Sequence, residues 1–115
     1  MLRAQFGLID EIDYNKDYSE YEPQKYNCVC IDDDEYINDW WPQLCGMRTF
    51  FHSMARPETA LARWGVTIIP PSSLPFFRSI VLGDERVKTD ANLEALAGVI
   101  QTAIESEKHM IHFGV

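Results

Sequence analysis

The strongest constraint on the fold is the run from Val66 to Ile104. Val66-Thr67-Ile68-Ile69 is the most β-branched stretch of the chain, and such residues favour a strand. Pro70-Pro71 stop it, because proline has no amide proton to give a sheet ladder. Ser72-Ser73-Leu74-Pro75 then reads as a helix start, with Ser73 as N-cap and Pro75 in the first turn, where a missing N–H does no harm. Phe76, Phe77, Ile80 and Val81 form its apolar stripe, and Gly83-Asp84 end it. A second helix follows, capped by Thr89 or Asp90. Its Leu93, Leu96, Ala97, Ile100 and Ile104 recur at helical spacing. Met110 to Val115 reads as a closing strand.

The first half is less regular. Residues 5–14 start as a strand through Phe6, Leu8 and Ile9. Tyr14, Tyr18 and Tyr21 fall at i, i+4 and i+7, which places them on one face of a helix ended by Pro23. A loop carrying tyrosines fits almost as well. Tyr26 to Ile31 alternates like a mostly buried strand. Asp32-Asp33-Asp34-Glu35 close it and open a helix, since Asp32 and Glu35 have capping-box spacing and acids suit the positive end of the helix dipole. That helix runs towards Leu44, with Pro42 fitting badly in its interior. A break at Trp40 and a second start near Pro42 is the alternative. Residues 48–54 and 59–69 read as a hairpin around Arg56-Pro57-Glu58, with a bulge at Gly65. Strand, strand, helix, hairpin, helix, helix, strand is not the alternation of a doubly wound fold. The expectation is one α+β domain over residues 1–115, with a mostly antiparallel sheet of four or five strands and three or four helices.

Composition narrows the function. Residues 1–39 hold eleven acids (Asp10, Glu11, Asp13, Asp17, Glu20, Glu22, Asp32, Asp33, Asp34, Glu35, Asp39) and three bases. This third carries the whole net charge of −8, and the remainder has seven acids and seven bases. An acidic face repels nucleic-acid phosphates and anionic lipid and attracts basic partners, so neither nucleic acid nor membrane is expected as a partner. Asp10-Glu11 interrupt the start before a signal-peptide stretch develops, and no run reaches the length of a membrane helix. The odd count of three cysteines fits reduced thiols, and the expected location is cytoplasmic.

Chemical motifs are weak. Cys28-x-Cys30 is too tightly spaced for a zinc pair, and core packing explains it better. The acid run lacks the pattern of a calcium loop. Cys45 with His52 has no motif around it, and His109-x-x-His112 would lie on opposite faces if 109 belongs to the closing strand. Residue 109 itself reads as a helix end. No cofactor is expected.

What the fold alone explains least is the mixture of acids and aromatics. All five tyrosines lie in the acidic third, followed by Trp40-Trp41. Aromatics are favoured at interface cores, and acids steer a basic partner. The expected partner-binding residues are therefore Asp10, Asp13, Tyr14, Asp17, Tyr18, Tyr21, Asp32, Asp33, Asp34, Glu35, Trp40 and Trp41. In its gross properties the chain is similar to the immunity proteins that neutralise basic bacterial toxins, and it loosely resembles proteins that mimic nucleic-acid charge. The likeness is one of composition and carries no residue roles. Two alternatives stand beside it. One is a small-molecule-binding protein or enzyme with a pocket near Trp40, Trp41, Arg63 and Trp64, where an arginine beside aromatics would hold a carboxylate or phosphate. The other is a homodimer paired through the C-terminal strand, if that strand lies at an edge.

Overall fold

A computed structural model describes residues 3–114. It is an α+β domain built on one antiparallel sheet of six strands. The strands are β1 (Arg3–Ile9), β2 (Val29–Asp32), β3 (Arg48–Phe51), β4 (Pro57–Thr59), β5 (Val66–Ile69) and β6 (His109–Gly114), in the order β2-β1-β6-β5-β3-β4. The helices are α1 (Asn38–Leu44), α2 (Leu74–Leu82) and α3 (Ala91–Ser106).

Alternation along the strands divides the core into two layers. Ala4 and Phe6 of β1, Ile69 of β5 and Met110 of β6 face the helices, where Leu44, Phe77, Ile80, Leu93, Leu96 and Ile100 are buried against them. Phe6 and Phe77 meet at 5.3 Å between ring centroids. Ile9, Val66, Ile68, Ile111 and Phe113 face the other way, with Tyr18 buried on them and Ile12, Tyr26, Cys28, Phe50 and Met54 packed around. The second layer is therefore covered by the irregular segment between β1 and β2, not by a helix.

The C-terminal half follows its sequence signals closely. Asp90 caps α3 by accepting the Asn92 amide at 2.8 Å. The helix ends on Glu107 in the left-handed region at φ 54°. In α2 the buried stripe is Leu74, Phe77, Ile80 and Val81, whereas Phe76 is exposed, because helical spacing turns it roughly 100° away from the centre of that stripe. Ser73 occupies the N-cap position without capping: its hydroxyl donates to the Arg48 carbonyl at 2.6 Å, tying the helix start to β3.

Several expectations change. The chain from Thr59 to Ile69 is not one strand. The hairpin joins β3 to β4, residues 60–65 loop away, and β5 then pairs on the opposite side of β3. Gly65 lies in the turn before β5, where a β-carbon would stand 3.0 Å from the His52 ring, instead of in a bulge. The tyrosine-bearing segment takes the loop alternative, ending in a 3₁₀ turn at Pro23–Tyr26, and of the expected strand Tyr26–Ile31 only the part from Val29 is extended, in a strand that continues through Asp32. Asp32 does cap, accepting the Glu35 amide at 3.1 Å, but the first turn is a π turn over Asp33–Ile37 that runs directly into α1. Pro42 stays inside α1 without a break. The carbonyl of Asn38, which its missing N–H would have met, belongs to an exposed residue that water can reach. His109 opens β6 and does not end a helix. The described part of the closing strand lies between β1 and β5, so its edges are occupied and it offers none for dimer pairing. Val115 lies outside the described residues.

Candidate functional site

The acidic segment 10–22 is a tied-down cover. Its anchor is Tyr18, buried in the second layer, whose hydroxyl accepts the Asp13 amide at 2.9 Å and whose own amide donates to the His52 carbonyl at 2.6 Å. Asp13 and Asp17 each accept the amide two residues on, Asn15 and Ser19, both at 2.9 Å, which folds the loop into two Asx turns. The Ser19 hydrogen bonds hold the Asp17 carboxyl below its ordinary range. Asp10 pairs with Lys108 at 2.8 Å. Tyr21 stands edge-on to Phe113 at 5.6 Å and takes a hydrogen bond from Gln5, and Tyr26 lies on the same ring at 5.9 Å. Gly7 permits the close approach, since a β-carbon there would meet the Tyr26 carbonyl oxygen at 2.6 Å. Packing therefore explains part of the tyrosine content, because these rings roof an open sheet face. Tyr14 and Tyr21 still show 63% and 58% of their surface.

The remaining expected binding residues are not assembled with them. Trp40, 2% exposed, is core on the helix side of the sheet, and its indole N–H donates to Asp84 at 2.9 Å. Asp33 is buried and ion-paired with Arg63, so the run Asp32–Glu35 is not one solvated face; Asp34 and Glu35 are exposed. Arg63 also donates to the Asn38 side chain at 2.6 Å and lies 5.2 Å over the Trp41 ring. Its guanidinium therefore fastens the 60–65 loop to the start of the α1 region and is not free to hold a ligand. Trp64 is 74% exposed. Trp40, Trp41, Arg63 and Trp64 do not converge on a pocket.

Beneath that loop lies a polar spot in the core. His112 is fully buried. Its Nδ1 lies 3.2 Å from the Thr67 hydroxyl, which accepts the Ala62 amide, and its Nε2 has no partner. Burial, then the nearby Arg63 charge, lowers its pKa to about 3, so it is neutral at physiological pH. The loop crosses β6 at Gly114, where a β-carbon would overlap the Arg63 carbonyl.

A second network binds the helices together. Arg86 bridges Asp84 at 2.6 Å and Asp39 at 2.9 Å and stacks 4.4 Å over Tyr36, whose hydroxyl donates to Asp90. Arg86 holds the Asp84 carboxyl far below the usual carboxylate range. Burial and then Asp90 push Tyr36 up to about 12. These groups are all partnered.

The cysteines and histidines form no reactive set. Cys28 packs on the second layer, where burial and then Cys30 push its thiol up to about 12. Cys45 ends α1 and His52 follows β3, with no hydrogen bond joining them among the described residues. No group of three potential metal ligands occurs among the described residues.

An open cleft of about 970 Å³ lies where the sequence indicated nothing. It sits on the second face of the sheet, beyond the edge of the tyrosine roof. Arg48 and Phe50 of β3 and Pro57 and Thr59 of β4 share that face by register. Pro70, Met54, His109 and Glu107 complete its floor and rim. Tyr14 forms the wall next to the acidic segment, its ring edge-on to His109 at 6.3 Å. Burial lowers the pKa of His109 below the ordinary histidine value. The only sequence signal was the two-residue alternation Arg48-x-Phe50 and Pro57-x-Thr59. It shows that these residues share a face but not that the face is left uncovered. No helix of the described residues is long and apolar enough to cross a membrane. The chain matches no protein-family model, no curated protein and no solved structure.

Proposed function

We propose that this protein is an interaction module that recognises a basic protein surface, an inhibitor of the immunity type being its most concrete form. One observation carries this: the acidic segment is exposed in its charges yet fixed in its backbone. Glu11, Asp13, Asp17 and Glu20 face solvent, while Tyr18, the two Asx turns and the bond to His52 hold the chain beneath them. A segment already ordered loses little further entropy on binding, and like charges held at one surface steer an oppositely charged partner to it. Tyr14 and Tyr21 supply exposed aromatic area in the same segment.

The test is the joint substitution Glu11→Lys, Asp13→Asn, Asp17→Asn and Glu20→Lys, the asparagines removing charge while keeping the Oδ1 acceptors of the two Asx turns. Asp32 and Asp33 are avoided, because one caps a helix and the other holds Arg63. The wild-type chain is expected to retain a basic protein from its native cell extract, less well as salt rises. The substituted chain should lose it while keeping its circular dichroism and melting temperature. If every recovered protein binds the substituted chain equally, the proposal is wrong.

A further inference from the structure

We infer that residues 53–59, the hairpin turn with β4, form a hinged strap that opens and closes on β3 while the rest of the sheet stays folded. Its two ends are held and its middle is not. At one end His52 donates its amide to the Val66 carbonyl at 3.0 Å, and its own carbonyl accepts the Tyr18 amide at 2.6 Å. At the other end Ala60 is buried. Its amide donates to the Met47 carbonyl at 3.0 Å, and its carbonyl accepts the Thr49 hydroxyl at 2.7 Å. Both residues are left-handed, at φ 68° and 60°, although neither is glycine. Such residues persist where the surroundings fix them, and they recur in segments that switch. Between them Ala55, Arg56, Pro57, Glu58 and Thr59 are all exposed. β4 has one substantial neighbour among the described elements, β3. Met54, half-buried against the second layer, is the main apolar attachment. Little buried area therefore resists release of the strap.

The register shows which groups the strap holds. Antiparallel pairs alternate between hydrogen-bonded and non-hydrogen-bonded. The Ala60–Met47 and Phe51–Arg56 bonds make Thr49 and Glu58 a bonded pair, and leave Arg48 with Thr59 and Phe50 with Pro57 unbonded. The amides of Thr49 and Phe51 therefore point at the strap. That of Phe50 points the other way, at β5, as the His52 amide does. Pro57 sits where an N–H would have faced outward. It takes nothing from the ladder and denies the outer edge a donor. Closed, the strap seals the sheet edge and supplies Pro57 and Thr59 to the cleft. Open, it withdraws both residues and bares the Thr49 and Phe51 backbone groups.

Amide exchange of the intact, isotope-labelled protein tests this, with each rate divided by its intrinsic rate. Thr49, Phe51 and Glu58 should exchange together, roughly a hundredfold or more faster than Phe50, Ile68 and Ile111. The hinge amides of His52 and Ala60 should stay with the slow group. A cross-link then closes the strap: Arg48→Cys with Thr59→Cys, in a chain also carrying Cys45→Ser so that no exposed native thiol competes. Unbonded pairs bring β-carbons within reach of a disulfide. Oxidised, this variant should slow Thr49, Phe51 and Glu58 by roughly tenfold or more, and reduction should restore the wild-type rates. Exchange of those three amides at the rate of Phe50 overturns the inference, whether or not the cross-link forms. So does exchange of His52 or Ala60 along with them, since the hinges would then not hold. Unchanged rates in the oxidised variant overturn it as well. The acidic-segment proposal is read separately, by partner capture, and stands or falls without the strap.

Discussion

The two faces of the sheet are covered in different ways. On one, three helices bury fully apolar stripes, and the stabilisation is mainly hydrophobic area. On the other, a loop without repeating hydrogen bonds lies across the strands, held by Tyr18, by two Asx turns and by aromatic edges on Phe113. The first cover spans β2, β1 and β6 and reaches β5 at Ile69. The second reaches the end of β3, where Tyr18 meets His52, and leaves the cleft open over the rest of β3 and β4. A helix satisfies its own backbone and can cover a sheet wherever its stripe fits. A loop must find a partner for each amide, so it reaches only as far as its side chains and turns allow. Both sides keep exposed aromatic surface, Trp64 and Phe76 on the helix side and Tyr14 and Tyr21 on the other, and the proposed binding surface is the second because its acids and aromatics lie on one fixed segment.

The largest expected effect is on the helix face. Phe77→Ala removes a fully buried ring that packs on Phe6, and should cost about 3–5 kcal/mol in urea unfolding. Comparable loss from Tyr18→Phe would break the comparison.

Acid should act next, through His112 on the same face. Its folded pKa is about 3 and its ordinary value is 6.5. The unfolded chain therefore binds a proton that the folded chain refuses. The stabilisation is complete above pH 6.5 and declines as pH falls towards 3, by up to about 1.4 kcal/mol per pH unit. Urea midpoints should show this slope between pH 6.5 and about 5 in the wild type and lose it there in His112→Gln, whereas below about pH 5 both chains lose stability as Asp84 and Asp90, held low when folded, take up protons in the unfolded chain.

The glycines compare the two covers directly. Gly114→Ala pushes a β-carbon into the Arg63 carbonyl under the helix-side loop, and should cost about 1–3 kcal/mol globally. Gly7→Ala pushes one into the Tyr26 carbonyl and should instead lift the segment, seen as faster amide exchange around residues 10–28 with α3 unchanged. Smallest is Tyr18→Phe, at about 1 kcal/mol for one hydrogen bond, since water can reach the Asp13 amide. Equal exchange changes in α3 for Gly7→Ala would show that the two covers unfold as one unit.

What was legible in the sequence is local. The stripe of α3, the Asp32 and Asp90 caps, the β-branched strand before Pro70-Pro71 and the α+β class all follow from periodicity and capping within a few residues. The acidic segment was also visible as a block of charge, but not its division. Tyr18 went inward while Tyr14 and Tyr21 stayed out, and Trp40 went to the opposite layer from all three.

Only the tertiary structure decided those positions, because each depends on a partner far along the chain. Arg63 drew Asp33 into an ion pair, Arg48 took the hydroxyl of Ser73, and β1 and β5 enclosed β6. Alternation along a strand shows which residues share a face. It does not show what will lie over that face or where the cover will end, and the cleft exists because the cover ends at Tyr14.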